Sequence, residues 1–141
     1  MFATHSIHLG NVVLVNLTPH ACAFDGPEGP IVIPAPPKGG EARSDDEAPR
    51  LDPVRTAEFG FPVAFPHEPG PLVGLPEPVD GHVFLVSLVV RKHPAAAGRR
   101  DLVSPGTGPK DNARREPALL PDGSPNPRKG QIVACSVFIG V

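Results

Sequence analysis

Along the chain, apolar residues gather into short β-branched runs that proline and glycine repeatedly interrupt. The run 11–17 (NVVLVNL) has the length and composition of a strand. It stops at Thr18-Pro19, where proline removes a ladder donor and biases the preceding residue to extended backbone. Residues 20–24 resume an extended segment, 25–30 (DGPEGP) carry a strong turn signal, and 31–33 (IVI) return, so 20–33 reads as a hairpin. Phe59, Phe61, Val63 and Phe65 alternate with small or imino residues. That period-2 spacing puts all four on one face, and Pro62 demotes the run to an edge strand or an extended cover strand.

The segment 83–90 (VFLVSLVV) is the most hydrophobic and predicts a central strand buried on both faces. A short helix over 87–97 is the alternative continuation, favoured by three consecutive alanines and opposed by Pro94. Residues 131–139 (QIVACSVFI) predict a terminal strand. Smaller strands are expected at 40–44 and at Leu102-Val103, within loop-like passages that cover most of 34–53, 66–80 and 98–130. No segment keeps helical periodicity over three turns, and no repeat of fixed period is visible. The fold class is therefore mainly β: a small barrel or sandwich-like single domain with long Pro/Gly-rich loops and little helix. Residues 1–10 read as a loose lead-in and 11–141 as the single β-rich domain, with its N- and C-terminal strands expected to be neighbours.

Composition adjusts this picture in two places. With 21 prolines and 15 glycines among 141 residues, the chain sits at the edge of the disordered range, but the β-branched runs supply a core. Net charge is only −2, and the chain has no Trp and no Tyr. An extended nucleic-acid surface or a stacking platform for single strands is not expected on that basis. The longest apolar stretch is too short to span a bilayer, and residues 1–10 lack the basic and apolar regions of a signal peptide, so a cytoplasmic location is expected. Cys22 and Cys135 are too few for a disulfide framework and read as two free, buried thiols.

At Val15-Asn16-Leu17-Thr18-Pro19-His20 the sequence resembles a group of small phage, prophage and bacterial proteins that open with a strand ending in Asn-Leu-Thr-Pro-His. The likeness recurs at a Pro-x-x-Gly turn followed by Ala42-Arg43, at Phe59-Gly60, at Gly74-Leu75-Pro76 and at Phe84-Leu85-Val86-Ser87. It continues through Arg100-Asp101-Leu102-Val103-Ser104-Pro105-Gly106 and Gly130-Gln131-Ile132-Val133-Ala134-Cys135, covering 12–136 in short pieces. The first ten residues, a proline-rich 44–58 and an inserted 107–129 depart from it. The resemblance implies a phage- or prophage-linked setting and supplies no mechanism.

Three places could carry chemistry. The corner Asn16, Thr18, His20 could turn a hydroxyl and an imidazole toward one ligand, since imidazole binds anions and shuttles protons; in the structural reading the same side chains bond the backbone of a tight corner. His20 and Cys22 share one strand face, and with His5 and His8 nearby a zinc site can be imagined, but no paired C-x-x-C motif supports it. In 99–106 (RRDLVSPG), guanidinium forks and the amides of a Ser-Pro-Gly turn could hold an anion. The structural reading there is an Arg100–Asp101 surface patch, worth well under about 1 kcal/mol. No Walker A, G-x-S-x-G, H-E-x-x-H or G-x-G-x-x-G pattern is present.

The expectation is a non-catalytic binding module for a small anionic ligand, such as a nucleotide, or for a protein partner. Its candidate ligand-binding residues are Asn16, Thr18, His20, Arg43, Arg100, Asp101 and Ser104, with no metal and no cofactor. The alternative is a structural or homo-oligomerising protein, a phage accessory or an inhibitor of a host enzyme, pairing through strand edges at 59–65 and 131–139. A third is a minor hydrolase using His20.

Overall fold

A computed structural model describes residues 2–66 and 68–140, and they form a mainly β architecture. In chain order the strands are β1 (Ser6–Leu9), β2 (Val12–Asn16), β3 (Cys22–Gly26), β4 (Gly29–Ile33) and β5 (Arg43–Ser44). Helix α1 (Pro53–Phe59) and strands β6 (Leu72–Val73) and β7 (His82–Leu85) follow, then helix α2 (Leu88–Arg91) and a 3-10 turn at Pro94–Ala96. Strands β8 (Leu102–Pro105), β9 (Arg114–Arg115), β10 (Ile132–Ala134) and β11 (Phe138–Gly140) complete the chain.

The main sheet has the order β1-β2-β7-β8-β11. Its three inner strands run parallel, with Val15 opposite Phe84 and Leu85 opposite Val103; both outer strands are antiparallel to their neighbours. The β-branched run 12–16 makes β2 because each face of it is buried. Leu14 packs with Ile33 and Leu85 on one side, while Val15 joins Phe84, Val86 and Leu102 on the other. Such double burial is what inner parallel strands require, at about 1.5–3 kcal/mol for each large side chain withdrawn from water. The first core is closed by Ala42, Val90 and Ala96, and the second by the β3–β4 hairpin with Phe24 stacked 4.8 Å from Phe138.

The hairpin expected at 20–33 is present, with Cys22 opposite Ile33 and the turn at Pro27-Glu28. The most hydrophobic segment divides. It is strand to Leu85, and Ser87 then caps α2 by accepting the Val90 amide at 3.3 Å. The helix carries the chain over to β8, which must run parallel to β7. Buried His93 holds this crossover to the loop before β6. Its Nδ1 accepts the Ala95 amide at 3.0 Å, so Nε2 is the protonated nitrogen and donates to the Gly70 carbonyl at 2.7 Å.

Four expectations are corrected. The alternating run 59–65 is not an edge strand: Phe59 ends α1, which Asp52, Pro53 and Gly60 delimit, and 60–65 follows outside any named strand. Asp52 accepts the Val54 and Arg55 amides at 3.1 Å, Pro53 occupies the first turn, and Gly60 closes the helix in the left-handed region. Only Ala64 pairs, in a single bridge with Leu51. The terminal strand over 131–139 is two strands with different partners, β10 on β9 and β11 on β8. The N- and C-terminal strands lie at opposite edges of the main sheet. Ser6–Leu9, within the expected lead-in, pairs with β2 as β1. Among the described residues no helix is long and apolar enough to cross a membrane.

Candidate functional site

The carboxyl ends of the three parallel strands open on one side into a cavity of about 360 Å³. Alternation along each strand decides what reaches it. Leu14, Asn16 and Thr18 follow one another on the face of the second core, as do Leu85 and Ser87, and Val103, Pro105 and Thr107. Thr18, Ser87 and Thr107 therefore reach the cavity from three adjacent chain segments. The opposite wall comes from His20, Ala21, Cys22 and Ala23 entering β3 and from Ile132–Cys135.

Asn16 shapes the corner from behind and is fully buried. Its Nδ2 donates toward the carbonyls of His20, Ile33 and Pro34 at 2.9, 3.2 and 3.1 Å, and its Oδ1 accepts the Thr18 amide at 2.9 Å. The Thr18 hydroxyl lies 2.7 Å from Asn16 Oδ1 and 2.9 Å from the His20 carbonyl, both acceptors. Its single proton is committed to them, so Thr18 offers the cavity lone pairs only. Ser87 is the reverse case. It accepts from Val90, which leaves its proton free to donate. Thr107 and His20 are exposed at the rim. The cavity lining contains no carboxylate, guanidinium or ammonium group.

Two thiols complete the wall. Cys135 bridges Phe24 in parallel register, its amide donating to the Ala23 carbonyl at 3.0 Å and its carbonyl accepting the Asp25 amide at 2.9 Å. Cys22 lies two residues before Phe24, on the same face, so both cysteines line one wall of the cavity. Interaction between the two thiols makes Cys135 easier to ionise, and the same interaction, reinforced by burial, pushes Cys22 up.

Of the residues expected from sequence, Thr18 and His20 line the cavity and Asn16 stands behind them. Arg43 is exposed on β5, beside Ala42 of the other core. Arg100 and Asp101 precede β8 and so sit at the far end of that strand. Asp101 is bound by Arg99, at 2.7 Å to each carboxylate oxygen, and not by Arg100; Arg99 also donates to the Pro76 carbonyl at 3.0 Å. That ion pair holds the Asp101 carboxyl below its ordinary range. Ser104 faces the first core and its hydroxyl accepts Arg91 Nε at 2.8 Å. The RRDLVSPG segment is thus divided between two ends and two faces.

Ser87, Thr107 and the cysteine pair were not singled out as ligand groups from sequence. Ser87 lies within the most hydrophobic segment, and Thr107 lies inside an expected loop. For Thr18 and Ser87 the available signal was a polar residue directly after a strand-like apolar run; Thr107, beyond Gly106, had no such signal. A larger depression, about 980 Å³, lies between 45–50 and 65–71. It is an open trough between proline-rich loops; Asp45, Glu47 and Glu68 are exposed there, and Arg50 is stacked over Phe65 at 5.1 Å. The smaller cavity is the stronger candidate because three core strands fix its walls. Among the described residues, no group of three or more His, Cys, Asp or Glu side chains could hold a metal ion.

Compared with protein families, curated proteins and solved structures, the chain matches none.

Proposed function

We propose that this chain is a non-catalytic binding module whose ligand is a small molecule with an apolar body and one acceptor-rich, anionic end. The convergence of Ser87, Thr107 and His20 on an otherwise apolar cavity at the parallel strand ends carries this reading. Hydroxyl and imidazole donors, with no carboxylate among the lining residues, favour a carboxylate or phosphate over a cation. Alanine, isoleucine and valine side chains around them suit an apolar remainder. Because no lining residue carries a fixed charge, the affinity depends only weakly on ionic strength.

Thermal-shift titration with inorganic phosphate, nucleoside monophosphates and short-chain fatty acids tests the proposal. At a hundredfold excess over Kd a true ligand stabilises by about 2.7 kcal/mol, a rise in Tm on the order of 10 °C. The rise is lost in Ser87→Ala. No shift with any of these compounds, or a shift unchanged in Ser87→Ala, overturns the reading.

A second reading is a self-associating interaction protein, favoured by α1 and its flanks. Leu51, Val54, Phe59 and Phe61 are all more than half exposed or nearly so, and α1 has no buried residue. Light scattering over a concentration series separates the two: a monomer at every concentration removes the second reading and leaves the first.

A further inference from the structure

We propose that Cys22 and Cys135 form a redox-active dithiol, which a small-molecule disulfide converts to an intramolecular disulfide across the cavity wall. The two cysteines are more than a hundred positions apart in sequence. The bridge between Phe24 and Cys135 nevertheless makes them diagonal neighbours on one face, and both line the same cavity. Cys135 is held by backbone bonds on both sides, whereas Cys22 is the first residue of β3 and follows the exposed corner 19–21. The freer partner is therefore also the more exposed one, which suits a pair in which one sulfur meets the oxidant and the other resolves the product. No other cysteine in the chain competes for either.

The more exposed Cys22 gives up its thiol proton to water, and its sulfur is the attacking thiolate. It attacks one sulfur of the small disulfide, forms a mixed disulfide and expels one small thiolate, which takes up a proton from water. Cys135 then gives up its proton to water and its thiolate attacks the Cys22 sulfur, expelling the second small thiolate. Two protein thiols are oxidised, and one small disulfide is reduced to two thiols. The product joins the start of β3 to the end of β10 and fixes the wall that carries His20.

The pair stands on the two cysteines alone, so it survives or fails independently of any ligand in the cavity. The test takes the whole chain, reduced and then equilibrated with glutathione disulfide, and reads intact mass, free thiols and Tm. The wild type is expected to lose two hydrogens and both titratable thiols, to carry no glutathione, and to melt on the order of 10 °C higher, because the cross-link closes a very long loop. Cys135→Ser should stop at one glutathione on Cys22. A wild type that keeps both thiols, or that accumulates a stable mixed disulfide, overturns the proposal whether or not the Cys135→Ser variant folds.

Discussion

Asn16 and His20 are joined by a 2.9 Å hydrogen bond from the buried carboxamide to the His20 carbonyl, so one β2 side chain sets the path of the corner that brings His20 to the cavity. The same carboxamide reaches the Ile33 and Pro34 carbonyls, tying the main sheet to the hairpin above it.

Asn16→Leu should therefore be among the most damaging substitutions in the chain. It leaves several buried backbone groups without a partner, at about 1–3 kcal/mol for each that water cannot reach. A loss of about 3 kcal/mol or more in denaturant unfolding is expected; a loss below about 1 kcal/mol means that the corner is held by other contacts.

Ser87→Ala removes the α2 cap as well as the free hydroxyl. The cap accounts for about 1 kcal/mol of stability. Ser87→Thr keeps both hydrogen-bonding roles and should fold as the wild type does, while ligand-induced stabilisation falls in the alanine variant alone. Equal melting temperatures for all three proteins would show that the cap contributes nothing.

The Arg99–Asp101 pair predicts a pH dependence with a definite sign. Asp101 has its carboxyl pKa lowered by the guanidinium, so its contribution is fully present above the ordinary carboxylate range, near about 4, and disappears as pH falls through the lowered folded value. Asp101→Asn should cost about 1–2 kcal/mol at neutral pH and should flatten the acid limb of the stability curve. An unchanged acid limb in this variant assigns the dependence to other carboxylates.

Gly106 sits where β8 leaves the sheet beside Pro105 and Thr107 of the cavity. A Cβ there would lie 2.7 Å from Val137 Cγ2 and 2.9 Å from the Val137 carbonyl oxygen. Gly106→Ala should destabilise by about 1–3 kcal/mol. Pairing it with Val137→Ala recovers only the side-chain part, because the carbonyl stays; full recovery in thermal melts would mean that the backbone yields there.

The aromatic tip makes a contrasting prediction. Phe59 and Phe61 touch each other, with ring centroids 5.9 Å apart, and both are at least half exposed. Replacing both by Ser should change stability by less than about 0.5 kcal/mol. If the chain self-associates through this element, the double variant becomes monomeric in sedimentation; association that persists places the contact elsewhere.

Residue order alone was enough for the mainly β architecture, the 20–33 hairpin, a strand within 11–17 and a doubly buried strand over the first part of 83–90, whose later residues turn into α2. Each depends on neighbours in sequence: β-branched runs, a two-residue turn, and alternation that has no polar side to turn outward. The start and stop of α1 were also written locally, in Asp52-Pro53 and Gly60, but phenylalanine alternation at 59–65 pointed to a strand. Capping prevailed because those phenylalanines have no core to face. What decided the cavity is not local. Thr18, Ser87 and Thr107 meet only because β2, β7 and β8 run parallel, and that follows from a crossover over the sheet and not from any spacing along the chain. Arg100 and Ser104, close in sequence, were parted by strand length and pleat, while Cys22 and Cys135 were brought together by a single bridge at Phe24. Local order selected the strands; long-range pairing selected which side chains meet.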